Sequence, residues 1–434
     1  MTSSVPAYTP RAPAEIWRSI FIHAGVSRAS HHGGYAPFQP LRDMAETSAT
    51  RQEDTRRLQT CLSIIRVCRL WHLIAAEFLY NDVLIMDSTG LSSLMNGLQR
   101  SAIEDGLGGF GRYIRRLELP MRQYRFTEHT TQWSPLPIPP LFPSSDFRLV
   151  DLLLLCPRLE IFCRPPLRLD SRDILFWAGL VSTSLETDGP PLLPCLRRLE
   201  WYETDLDTRF YGSKNTARLA ELVAHAPALE DLFLSSDRPD ALSALPSCPS
   251  LQTLRLNQSH YQSHHTKLPS VRNTPHVPHL THLVLHTMLP SALLAFLSVA
   301  GAHLHVLEFA FAPQSVFSTT QMQCLLSRCP SLYEIAFYVG APEIVAPPPA
   351  FHHPALRRAR LKLSPEEWHP YKHVLMSQFG VLAGPAFPGL EEVVLHDSSR
   401  SLTRREVWPS LLRALVRRGC RVLYADGEVV SPGG

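Results

Sequence analysis

The chain has 434 residues, 45% of them hydrophobic, and carries 42 basic against 39 acidic side chains for a formal charge of +3. So balanced a charge gives no basis for electrostatic attachment to nucleic acid or an anionic membrane, and neither is expected as a partner. Nine cysteines, an odd number with no CxxC pair, sit mostly inside apolar stretches, the pattern of free buried thiols in a reducing compartment, cytoplasm or nucleus.

Residues 1–11 read as a disordered N-terminus: "MTSSVPAYTPR" lacks the basic-then-apolar order of a secretory leader. The longest apolar run, "LVDLLLLC", is too short to span a bilayer. A helical module is expected over 12–86. In "PAEIWRSIFIHA", Pro13 opens a helix, Glu15 lies in the first turn where a carboxylate suits the dipole, and Ile16, Ile20 and Phe21 share one side. A long loop at about 25–57 follows, with the composition of a disordered segment that bulges out of the module. Beyond it Leu58, Cys61, Leu62 and Ile65 form one stripe, and Trp71, Ile74, Ala75, Phe78 and Leu79 form another. Three short helices are too few to enclose that much apolar surface, so a partner surface is expected.

Residues 87–111 are expected to be a connecting helix and a Gly-rich turn. Within it "GLGGFG" matches GxGxxG in form, but a dinucleotide site needs a strand before and a helix after, and here the order is reversed. No cofactor is expected.

From 112 to 430 one phrase recurs, with apolar residues at i, i+3 and i+5 and usually a proline just before: "CPRLEIFCR", "APALEDLFLSS", "CPSLQTLRLNQ", "VPHLTHLVLHT", "CPSLYEIAFYV", "HPALRRARLKL", "FPGLEEVVLHD". Its first apolar residue falls at Ile114, Leu159, Leu196, Leu229, Leu251, Leu280, Leu304, Leu332, Leu356, Leu390 and Cys420, at spacings between 22 and 45. The i+3 and i+5 side chains share one face of a short strand, and the first turns inward just before it. Between copies, "KNTARLAELVAHAP", "LPSALLAFLSVAG", "TTQMQCLLSRCP" and "REVWPSLLRALVRRG" have helical period. The chain resembles a leucine-rich-repeat protein with degenerate copies, which implies an α/β fold: a curved solenoid with parallel strands on its concave face and helices on its convex face.

The first module resembles an F-box of the fungal kind that precedes leucine-rich repeats, on Pro13, Glu15, Ile16, Ile20, Phe21 and the later Val67, Cys68, Arg69 and Trp71. Ala12 stands where that pattern has leucine, and the insertion is longer than the usual gap. The resemblance implies docking on a Skp-family adaptor of a cullin-RING ubiquitin ligase through Pro13, Glu15, Ile16, Ile20, Phe21, Val67, Cys68 and Trp71. The repeats would then present a protein substrate, and neither part would perform chemistry. The alternative is a repeat scaffold for protein interaction whose N-terminal helices only cap the solenoid.

Strand alternation nominates Tyr202, Phe233, Arg255, His282, His286, Tyr338, Arg358, Arg360 and Lys362 as a solvent-facing substrate surface. The Arg358/Arg360/Lys362 triplet suits an acidic or phosphorylated segment, or is simply a solvated strand face. The histidines at 260, 264, 265, 276, 279, 282 and 286 have no suitably spaced cysteine or carboxylate to complete a zinc site, and no metal is expected. No catalytic motif stands out, and the protein is expected not to be an enzyme.

Overall fold

The computed structural model describes residues 13–23, 35, 37–38, 48–85, 88–105, 109–119, 149–164, 191–202, 214–235, 242, 245–257, 276–287, 290–310, 319–339, 351–363, 378–397 and 408–430. Residues 1–11 and Ala12 lie outside them. Twelve short strands pair in parallel and in chain order to form one sheet. They are β1 (Asp82–Leu84), β2 (Arg116–Glu118), β3 (Ile161–Arg164), β4 (Arg198–Tyr202), β5 (Asp231–Ser235) and β6 (Thr253–Asn257), then β7 (His282–Thr287), β8 (Val306–Phe309), β9 (Glu334–Val339), β10 (Arg358–Leu363), β11 (Glu392–Asp397) and β12 (Arg421–Tyr424).

A four-residue turn precedes many of the strands. In Cys156–Leu159, Ala226–Leu229, Cys248–Leu251, Val277–Leu280, Cys329–Leu332 and Phe387–Leu390 the leucine N–H donates to the carbonyl three residues back, at 3.0 to 3.3 Å. Proline occupies the second position of each, where its fixed φ suits a β-turn. The first turn residue is buried, which explains why Cys156, Cys248 and Cys329 stand there. All eleven inward residues named from the repeat are buried, most of them completely. The carbonyl just before each strand then joins neighbours: Glu160 O accepts from Arg197 N at 2.9 Å and Arg198 N at 3.0 Å, and Glu230 and Tyr333 do the same for the units after them. This backbone ladder pairs the main-chain groups of the turns with those of neighbouring units.

Helices cover one face of the sheet. They include α4 (Ser88–Asp105), α5 (Leu149–Leu154), α6 (Lys214–Ala224), α7 (Pro290–Ala300), α8 (Thr319–Arg328) and α9 (Trp408–Arg417), given these labels because three helices precede them. Their apolar sides (Leu219 and Leu222, Leu293 and Phe296, Met322 and Leu325, Leu412 and Leu415) join the alternate strand residues in one core running from Ile85 to Val430. A helix is about 10 Å across and a strand spacing about 4.8 Å, so helices on one side bend the array with its strands inside. This is the architecture of a leucine-rich-repeat solenoid.

Two expected boundaries move. The sheet begins at Asp82 rather than near 112, because α4 and its residues Leu91, Met95 and Leu98 already belong to the solenoid core. The loop expected to reach 57 ends earlier, since α2 spans Ser48–Ile64. The Gly-rich turn is a packing device: Gly109 has φ +55°, and a Cβ on Gly111 would lie 1.7 Å from the Leu155 carbonyl of the next unit. At the far end Val429 bridges antiparallel to Leu423, covering part of the last strand's edge.

Replacing Leu332, fully buried behind β9, with alanine is expected to cost about 2–5 kcal/mol. The exposed Leu154→Ala control should change stability by less than about 0.5 kcal/mol. Urea unfolding of both full-length variants measures the difference.

Candidate functional site

Side chains alternate along each strand, and those not in the core form the open face. One row across the sheet reads Glu200, Phe233, Arg255, Val284, Glu308, Ala336, Arg360 and Val394 in register. Opposite charges meet within and between strands. Arg358 bonds Glu392 at 2.7 Å and Glu334 at 3.3 Å, Arg360 bonds Glu334 at 2.5 Å, and Arg255 lies 3.5 Å from Asp231. Arg116 pairs with Glu118, Arg198 with Glu200, and Arg421 with Glu392. Arg358 is engaged by Glu334 and Glu392, and Arg360 by Glu334, so two members of the basic triplet are ion-paired within the sheet.

The face is also less open than alternation suggested. Tyr202, Phe233, Arg255 and His286 are all buried. Tyr202 meets Phe233 at 4.6 Å between ring centroids, and Phe233 meets His286 edge-on at 5.9 Å. Alternation fixes which face a side chain takes but not what covers it, and these four are not solvent-facing. His282 is half-buried. Tyr338 contributes its backbone to β9, and its side chain lies outside the described residues.

Part of the cover comes from the segment expected to bulge away. The Tyr35 hydroxyl donates to Glu308 Oε2 at 2.7 Å, and the Phe38 backbone N–H donates to Glu308 Oε1 at 3.0 Å. The Tyr35 ring lies 4.7 Å from His282, the Phe38 ring 5.0 Å from His396, and Lys362 Nζ sits 5.9 Å from the Phe38 centroid. Glu308 is 1% exposed. Burial raises its carboxyl pKa, against the two hydrogen bonds that favour the charged form. Burial and the same carboxylate hold the Tyr35 phenol far above its ordinary range.

The N-terminal helices form a second site. α1 (Ala14–His23), α2 and α3 (Arg69–Asn81) enclose their own small core of Phe21, Cys61, Ile74, Ala75 and Phe78, with Trp17 and Trp71 at its edge. Trp71 lies 4.6 Å from Trp17 and 5.3 Å from Phe21. Phe21 is thus wholly internal, so it shapes this unit rather than meeting a partner, which corrects its place among the docking residues. Cys68 caps α3, its Sγ accepting from Trp71 N at 3.5 Å. Pro13, Glu15, Ile16, Ile20 and Val67 are exposed, as are Leu70 and Leu73. Sequence reasoning missed the last two, although their i, i+3 spacing beside Trp71 was the available signal. His72 and Tyr80 turn the third side of α3 toward the solenoid, where Tyr80 stacks on Phe110 at 4.9 Å.

His260, His264 and His265 lie outside the described residues. Among the described residues no cluster of three His, Cys, Asp or Glu is placed to hold a metal, and no helix is long and apolar enough to cross a membrane.

No protein-family model matches the chain, and no curated protein is similar to it. Among solved structures it is similar to the leucine-rich repeat-containing protein LegL7 from Legionella pneumophila, at 14% identity and TM-score 0.38, over 66% of this chain and 91% of that one.

Burial, then the neighbouring Arg255 for His286 and Arg360 for His396, pushes both imidazoles down to about 4. In the unfolded chain they titrate near 6.5, so the native state binds fewer protons between pH 6.5 and 4 and loses stability as pH falls through that window. The raised carboxyls of Asp231 and Glu308 act in the opposite sense. The melting temperature should fall more from pH 7 to pH 5 in the native chain than in His286→Asn/His396→Asn, a comparison read by calorimetry.

Proposed function

We propose that the protein is a non-enzymatic substrate-recognition subunit of a Skp/cullin/F-box ubiquitin ligase, docking on the Skp-family adaptor through α1–α3 and receiving a target protein on the strand face of its repeats. The observation that carries this is the exposed apolar surface of a unit that already has a closed core. Ile16 is 51% exposed, Ile20 47%, Leu70 40% and Leu73 57%. Among the described residues, seven of the fourteen large exposed hydrophobics lie between Ile16 and Leu73. Uncovered side chains concentrated on so small a unit mark an interaction surface, and the F-box-like order of Pro13, Glu15, Ile16, Val67, Cys68 and Trp71 supports the adaptor as occupant. On this reading the chain contributes proximity and specificity, and ubiquitin transfer takes place on other subunits.

The second reading, a protein-interaction scaffold capped by its N-terminal helices, is favoured by the Tyr80–Phe110 stack. A cap accounts for that side of α3 but gives Ile16 and Ile20 no role.

The test is a pull-down of the full chain on purified Skp-family adaptor, beside Ile16→Lys/Ile20→Lys. These side chains lie outside the helical core, so circular dichroism should be unchanged. Burying each isoleucine is worth about 1.5–3 kcal/mol, so the double variant should bind at least about a hundredfold more weakly. A folded native chain that does not bind the adaptor would leave the scaffold reading in its place.

A further inference from the structure

The strand face between β7 and β11 carries a built site that is already filled. Glu308 sits at its centre, buried, with one carboxylate oxygen taken by the Tyr35 hydroxyl and the other by the Phe38 amide. The two rings lie against His282 of β7 and His396 of β11, and Lys362 of β10 sits beside the Phe38 ring. Nothing in the architecture of a repeat array requires an occupant here, since each unit is closed by its neighbours. The occupant also holds an unfavourable backbone: Phe38 has φ +53°, a left-handed conformation that a bulky aromatic residue rarely adopts. Such strain persists where surrounding contacts over-determine it. A buried carboxylate that accepts one phenol and one main-chain N–H, between two imidazole rings, reads peptide chemistry: a tyrosine and, three residues on, a second aromatic side chain in a tight turn.

We propose that this cleft is a recognition site for peptide segments of the form Tyr-x-x-Phe, and that Tyr35 and Phe38 occupy it in cis as a built-in competitor which a target segment must displace. This rests on reading the strand face as the recognition surface and is independent of adaptor docking. The carboxylate sets the specificity. A phosphorylated tyrosine would bring a second negative group against Glu308 and would be rejected, so the site selects the unmodified side chain. The tether also sets the competition. Eleven residues join His23 to Tyr35 and nine join Phe38 to Ser48, and connections of this length hold an occupant at an effective concentration of the order of millimolar.

The experiment is fluorescence polarisation with a labelled peptide of residues 32–40, "HGGYAPFQP", titrated with the full-length chain and with full-length Tyr35→Ala/Phe38→Ala. The double variant, its cleft vacated, should bind at least about tenfold more tightly than the native chain. Adding Glu308→Ala to it should abolish the gain, and a phosphotyrosine version of the peptide should not bind. Tyr35→Phe, which removes one hydroxyl and leaves the ring in place, should show a severalfold gain and serves as the readout if the double variant melts early. Equal binding by native and folded variant chains, no binding by any folded variant, or a gain indifferent to Glu308→Ala overturns the proposal. Adaptor pull-down with the same variants should be unaffected, so failure of one reading is visible apart from failure of the other.

Discussion

The inward leucine ahead of each strand is the constraint on which the remainder depends. A single strand and turn cannot bury its own apolar side, so Leu251 or Leu332 is shielded only when the units before and after it are in register. The Xaa-Pro-x-Leu turn fixes where that leucine points, and the shared carbonyl before each strand fixes the offset between neighbours. With those settled, the i+3 and i+5 side chains must lie in the core, and the residues between them must form a continuous second surface.

The two ends of the array are closed differently, and this bears on function. At the C-terminal end the chain turns back on itself through Val429 and Val430, a local device needing only a few residues. The N-terminal end carries a whole helical unit with a core of its own around Phe21 and Phe78. Among the described residues, His72 and Tyr80 of α3 face the array at Phe110. That unit is larger than closure requires and leaves Ile16 and Ile20 on its outer side.

Much of the fold was legible because it rests on short-range patterning. The phrase placed β2 to β12 and their buried leading residues, and helical period placed α6 to α9, since each signal lies within about twelve residues. β1 stands outside the phrase because α3 runs straight into it, without the proline turn that marks later copies; only the F-box resemblance implied a short strand there. The site was less legible. Alternation assigned Phe233, Arg255 and His286 to the correct face, but their burial depends on what lies over them. The pairing of Arg358 and Arg360 with Glu334 depends on inter-strand register. The role of Tyr35 and Phe38 was invisible, because the residue that defines it is Glu308, and nothing in "GGYAPFQP" says which strand will meet it.

That contact joins residues 273 and 270 positions apart in the chain, and the separation orders events during synthesis. Strands pair with neighbours made moments earlier, so the array can grow unit by unit from its N-terminal end. Tyr35 and Phe38 leave the ribosome before any of the strands they will touch exists. They have no place to dock until β7 to β11 have been laid down. The strands of this cleft are therefore finished long after the segment that lies on them, which is the first peptide they meet.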